Sequence, residues 1–163
     1  MGARYEITSR LRVALIEPEI PPNTGNVMRL CANAGATLHL VHPLGFSLND
    51  ASLRRAGLDY RDLARVREHE SLGRCLAALD GGRVFAVETG SGVIYTGQRY
   101  RAGDAFLLGR ETTGLPAALL ASWPEDRRIR LPMVPGNRSL NLSNAAAVIL
   151  FEAWRQLDFS GGC

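Results

Sequence analysis

At 163 residues, with 46% hydrophobic and 21% charged side chains, the chain fits one globular domain with a sizeable core and excludes a disordered or low-complexity segment. No apolar stretch approaches the roughly 18 residues of a membrane span, and residues 1–10 lack the apolar run of a secretory leader, so the cytoplasm is the expected compartment. The formal charge is +3 and all 19 basic residues are arginine, whose planar fork suits phosphate and leans the chain toward polyanionic partners.

The first predicted element is a strand over Leu11–Ile16, ended by Glu17-Pro18. Asn23 and Thr24 can cap a helix whose Val27, Leu30, Cys31 and Ala34 fall at helical spacing, with Gly35 as its stop. Thr37–Val41 reads as a second strand, and Asn49–Gly57 as a short helix exposing Arg54 and Arg55. A Ser71-capped helix to Leu79 is followed by Gly81-Gly82 and a strand over Arg83–Val87. Asp104–Leu108 is another strand, Pro116 suits the first position of a short helix, and Arg128–Leu131 is a further strand. The last helix spans about Asn141–Leu157, with Leu142, Ala145, Ala146, Ile149 and Ala153 on one apolar face. Strands alternating with helices predict a single α/β domain, a mostly parallel sheet covered on both faces, with residues 1–10 and 158–163 as flexible tails.

Cys31, Cys75 and Cys163 are odd in number and widely spaced, and His39, His42 and His69 show no metal-ligand spacing. Neither a disulfide framework nor a metal site is expected, and no Gly-x-Ser-x-Gly elbow supports a hydrolase. Gly90-Ser-Gly92 follows a strand, but the β-prone Val93-Ile94-Tyr95-Thr96 stands where a dinucleotide fingerprint opens a helix; a surface turn is expected.

Two clusters sit beyond strand ends, where open α/β sheets bind ligands. In Gly109-Arg-Glu-Thr-Thr-Gly-Leu-Pro116, Gly109 would let a ligand approach the backbone and Gly114 would permit a positive φ. In Leu131–Asn144, Ser139, Asn141, Ser143 and Asn144 crowd a helix start with more polar groups than one cap needs, which suits a site that reads a polar ligand. A third cluster, Pro21–Arg29, holds Asn23 and Asn26 as caps and Arg29 about one and two-thirds turns beyond Asn23.

Taken in order, these clusters resemble the three motifs of the SPOUT methyltransferase superfamily. Glu17–Asn26 with Arg29–Gly35 looks like motif 1, Phe106–Pro116 like motif 2, and Ile129–Asn144 like motif 3. Arg54–Tyr60 and Glu152–Gln156 are similar to the small tRNA (cytidine/uridine-34) 2′-O-methyltransferases, and the resemblance covers about Leu11–Leu157.

The resemblance implies an α/β fold with a C-terminal deep trefoil knot and S-adenosyl-L-methionine held in the knot loops. It assigns cofactor contacts to Val87, Gly109, Leu131 and Ser139, and a catalytic group to Asn23, Arg29, Glu111, Ser139 and Asn141. Because a guanidinium rarely gives up its proton, Arg29 is cast as anchoring the phosphate beside the target ribose and lowering the hydroxyl pKa. Ser139 and Asn141 would orient the nucleophile, while Glu111 would hold the loop or Arg29. The resemblance further implies a homodimer acting on tRNA, with each site completed across the interface. No separate RNA-binding domain is evident, so Arg54, Arg55, Arg61, Arg65 and Arg138 are the candidate phosphate contacts.

Two departures stand out: Phe151 replaces a frequent tyrosine, and Arg110 occupies a position where relatives often carry proline. The expected activity is methyl transfer to the ribose 2′-hydroxyl of the tRNA wobble nucleotide. The alternatives are another RNA site, in ribosomal RNA or elsewhere in tRNA, and a non-catalytic RNA-binding or assembly factor.

Overall fold

The computed structural model describes residues 11–49, 51, 53, 65–90 and 92–163. In chain order these form β1 (Arg12–Ile16), α1 (Pro21–Ala34), β2 (Thr37–Val41), β3 (Val66–His69), α2 (Leu72–Ala78), β4 (Val84–Glu88) and β5 (Val93–Ile94). There follow β6 (Ala105–Leu108), α3 (Ala117–Ser122), β7 (Arg128–Arg130) and α4 (Leu142–Gln156). The seven strands make one sheet in the order β3-β2-β1-β6-β4-β7-β5, and every pairing is parallel.

A parallel sheet buried on both faces explains why the central strands read as continuous apolar runs. Along β1, Val13 and Leu15 join the core that Phe85 and Phe106 share with Val27 and Met28 of α1 and Ile149 and Leu150 of α4. Ala14 and Ile16 point the other way, into a smaller core closed by Cys75 and Leu79 on the α2 side and by Leu115, Leu119 and Leu120 on the α3 side. Helices on both faces, as the alternating pattern predicted, are therefore present.

Local signals locate most elements to within a residue or so. Gly35 ends α1 in the left-handed conformation (φ 68°). Ser71 caps α2 by accepting from the Arg74 amide. Pro116 stands one position earlier than predicted, as the N-cap of α3. Gly92 is followed by β5 and then a single 3-10 turn over Tyr95–Gly97, not by the α-helix of a dinucleotide fingerprint, in keeping with a turn. Most of the predicted Asn49–Gly57 helix lies outside the described residues.

Three readings change. Helix α1 begins at Pro21, with Ile20 as an N-cap that offers no side-chain bond, so Asn23 and Thr24 sit inside the helix and do not cap it. Strand β3 was not anticipated: Val-Arg-Glu-His carries too few apolar residues to signal a strand, and it forms the sheet's edge against β2. Beyond Leu157, the expected tail turns back on α4, where the Trp154 indole donates to the Ser160 carbonyl at 3.0 Å and Phe159 packs edge-on against the same ring.

A buried carboxylate holds the start of β6. Asp104, 2% exposed, accepts from Arg83 Nε at 3.0 Å, Arg83 Nη2 at 2.6 Å and the Arg101 amide at 2.7 Å. Phe85, Tyr100 and Phe106 pack beside it, Tyr100 edge-on to both phenylalanines, and the Tyr100 hydroxyl donates to the Tyr95 carbonyl. Strand β6 sits between β1 and β4, so this anchor fixes where the loop after Leu108 emerges. Among the described residues, no helix is long and apolar enough to cross a membrane.

Candidate active site

The loops that leave β4, β6 and β7 converge at the carboxyl ends of those strands, around a cavity of about 470 Å³. Val87, Leu108, Leu131, Met133, Leu142 and Ala145 supply an apolar lining, while Glu88, Arg110, Glu111, Ser139 and Asn141 bring polar groups to the same space. Apolar walls met by convergent polar groups in one concave space are what a small-molecule site needs, and here the two kinds of group share the lining about equally.

All four predicted cofactor residues, Val87, Gly109, Leu131 and Ser139, line this cavity, although they lie up to 52 positions apart in the chain (139 − 87). Asn23, Glu111 and Asn141 join them there. Arg29 does not line it: it lies on α1, exposed, on an outer stripe with Pro22, Asn26 and Asn33. Arg138 is exposed in the loop before α4, while Arg65 precedes β3 at the far edge of the sheet. Arg54, Arg55 and Arg61 lie outside the described residues.

One hydrogen-bonded chain ties three motifs together. The Glu111 carboxylate accepts from the Glu19 amide at 2.9 Å, the Ile20 amide at 3.1 Å and Asn23 Nδ2 at 3.4 Å. It thus satisfies N–H groups at the start of α1 that no local side chain caps, where the helix dipole also favours negative charge. Asn23 Oδ1 then accepts from Asn141 Nδ2 at 2.9 Å. Asn141 Oδ1 in turn caps α4, taking the Ser143 amide at 2.9 Å, the Ser143 hydroxyl at 2.6 Å and the Asn144 amide at 3.3 Å. Asn23 is 6% exposed, so its two amide bonds satisfy polar atoms that burial would otherwise leave costly.

Further links between the first two motifs carried no recognisable sequence signal, because each partner is an ordinary surface charge or hydroxyl until the fold joins them. Arg110 pairs with Glu17, which adopts a left-handed backbone (φ 49°), and the Thr112 hydroxyl donates to the Glu19 carboxylate. Arg110, standing where proline is frequent in the resembling family, thereby gains a partner across the loop.

Gly109 is held to glycine by a contact within the protein. A Cβ there would lie 2.0 Å from the Gly114 carbonyl carbon and 2.2 Å from the Leu115 nitrogen. The close neighbour that demands glycine is thus the protein's own returning loop. That loop closes through an Arg110–Gly114 bridge, with the Gly114 amide donating to the Arg110 carbonyl at 2.8 Å and Gly114 itself at φ 69°.

Residues 10–151 match the SpoU rRNA Methylase family. A tRNA (cytidine(34)-2′-O)-methyltransferase of Methylovorus glucosotrophus is 54% identical over 149 residues, covering 91% of this chain and 97% of that protein. Its Escherichia coli K12 counterpart of the same name is 48% identical over 151 residues, covering 93% and 96%. A solved structure described as giving insights into the 2-OH methylation of C/U34 on tRNA superposes with a TM-score of 0.84 at 44% identity, covering 91% of this chain and 96% of that one. With matches of this extent over the fold and the cavity loops alike, the chain belongs to the SpoU rRNA Methylase family.

Proposed function

We propose that the protein transfers a methyl group from S-adenosyl-L-methionine to the ribose 2′-hydroxyl of tRNA nucleotide 34. The observation that carries this reading is the meeting of all three motif loops on one cavity, in a chain that matches tRNA (cytidine(34)-2′-O)-methyltransferases over nearly their whole length. The cavity's size and mixed lining fit a nucleoside-bearing cofactor. Val87, Gly109 and Leu131 present main-chain groups at strand ends, and Ser139 adds a hydroxyl at the rim. When bound, S-adenosyl-L-methionine supplies an already activated methyl group on a sulfonium, so the protein's task is chiefly positioning.

Asn23, Glu111 and Asn141 do that positioning. Asn141 Oδ1 is fully engaged by the α4 N-terminus and one Nδ2 hydrogen is spent on Asn23, leaving a single N–H to offer a substrate. Ser139, exposed at the cavity, is better placed to meet the ribose. Arg29 anchors a substrate phosphate. Since it lies outside its own chain's cavity, it serves the site of a second copy in a homodimer. Two outer helix faces support this: the α1 stripe carrying Arg29, and an α4 stripe of Asn144, Val148, Phe151 and Arg155 in which Val148 is 39% and Phe151 44% exposed. Arg138 and the arginines of 54–65 grip the tRNA backbone. The chain after β7 threads the preceding loops as a trefoil knot, a reading supported by the return of α4 to pack on α1 after β7 ends beyond β4. The cytoplasm, where tRNA is found, is the matching compartment.

The test is incubation with unmodified total tRNA and a labelled methyl donor, followed by nucleoside mapping by mass spectrometry. Ribose methylation at nucleotide 34 is expected. Methylation confined to other positions or to ribosomal RNA refutes the substrate, and absence of any transfer with the donor bound refutes the enzyme.

A further inference from the structure

On the sheet face opposite α1 and α4, the fold assembles three donors that the sequence scatters. His39 comes from β2, His69 from the end of β3 and Cys75 from α2, and their side-chain donor atoms all lie within 4.8 Å of one another. His39 Nδ1 and His69 Nε2 are 2.8 Å apart, with the rings nearly parallel (5° between planes). His39 and Cys75 are buried, while His69 is only half-buried and leaves an approach from solvent.

The geometry points to a binding site for a closed-shell d10 cation, Zn²⁺ or Cu⁺, held by His39 Nδ1, His69 Nε2 and Cys75 Sγ. Two imidazoles and a thiolate are a borderline-to-soft donor set, which selects these ions over magnesium or calcium. Metal–ligand bonds of about 2.0–2.3 Å require donor atoms roughly 3.3–3.8 Å apart, so side-chain shifts of about 1 Å bring the trio to coordinating distance. The cation takes the place of the proton now shared between the two rings. That proton moves to the other nitrogen of its own imidazole, and the Cys75 thiol releases its proton to water, so one proton leaves for each ion bound.

Burial holds His39 down at about 4, with the neighbouring His69, Arg12 and Arg67 acting in the same direction, so its ring is neutral and keeps a lone pair. Burial also raises Cys75 to about 11, partly opposed by Arg12. The Arg12 charge therefore favours the thiolate but opposes added positive charge. With Cu⁺ the three-ligand site is neutral; with Zn²⁺ it carries one positive charge and needs a fourth ligand, a water on the His69 side. In either case the ion would pin edge strand β3 to β2 and α2, at a place independent of the methyl-transfer cavity.

The experiment treats metal-stripped full-length protein with Zn²⁺ in one arm and Cu⁺ under anaerobic reduction in the other. Retained metal is counted after gel filtration, and affinity is measured by competition with a chromophoric chelator. One equivalent of at least one ion is expected, with affinity falling at least tenfold in Cys75→Ala and in His69→Gln and unchanged in His42→Gln and Cys163→Ala. His69→Gln, at a half-buried position, guards against a Cys75→Ala protein that fails to fold. Cobalt in place of zinc should give a thiolate charge-transfer band that is lost in Cys75→Ala. Retention of neither ion, or affinity unchanged by His69→Gln, overturns the site.

Discussion

Replacing Glu111 by alanine deprives three donors of one acceptor: the Glu19 and Ile20 amides and Asn23 Nδ2. Hydrogen bonds to a charged group contribute about 1.5–3 kcal/mol when fully desolvated. Here Ile20 is 42% exposed and Glu111 half-buried, so water can reach the freed amides and the low end applies. The 3.4 Å contact to Asn23 is long and adds little. Loss of a carboxylate at the start of α1 removes a further ~0.5 kcal/mol of dipole interaction. The expected destabilisation is about 3.5 kcal/mol, or roughly 7–14 °C in Tm for a protein of this size. Equilibrium urea denaturation and calorimetry of the ligand-free protein measure it. Glu111→Gln, which keeps one acceptor oxygen, should lose about half as much, and Thr112→Ala, which breaks only an exposed contact to Glu19, should stay within ~0.5 kcal/mol. If Glu111→Ala proves no more harmful than Thr112→Ala, the carboxylate does not hold α1 against the motif 2 loop and the positioning argument collapses.

Three other outcomes are expected. Gly109→Ala should lower the stability of the protein before any ligand is added, because its Cβ meets the Gly114 backbone at 2.0 Å; an unchanged ligand-free Tm contradicts that reading. Asp104→Ala, which leaves the partly buried Arg83 guanidinium without its carboxylate, should cost about 3–5 kcal/mol in denaturation, and a loss below ~1 kcal/mol shows the pair to be dispensable. Arg29→Ala should abolish methyl transfer while calorimetry finds donor affinity largely intact. A matched loss of donor binding rules out a role confined to the RNA.

The local half of this fold was legible because its causes are local. Apolar residues at helical spacing marked α1 and α4, Ser71 and Gly35 marked where helices start and stop, and apolar runs marked the central strands. Motif order points to Val87, Gly109, Leu131 and Ser139 around one pocket, since loops beyond parallel strand ends share one edge of the sheet. Where a partner came from afar, sequence reading failed. Asn23 looked like a cap, yet the start of α1 is satisfied by Glu111, 88 residues on, which releases Asn23 for Asn141.

The arginine-only basic set, the alternation of elements and the three motifs follow from the chain alone, because they depend on residue type and spacing. The strand order, the Glu111–Asn23–Asn141 junction and the meeting of His39 with His69 and Cys75 belong to the tertiary structure. Each joins groups 21 or more residues apart, or nearer groups such as His69 and Cys75 whose directions only a packed sheet and helix can set. Spacing along the chain carries no trace of such contacts, which form when burial of both sheet faces brings distant strands into register.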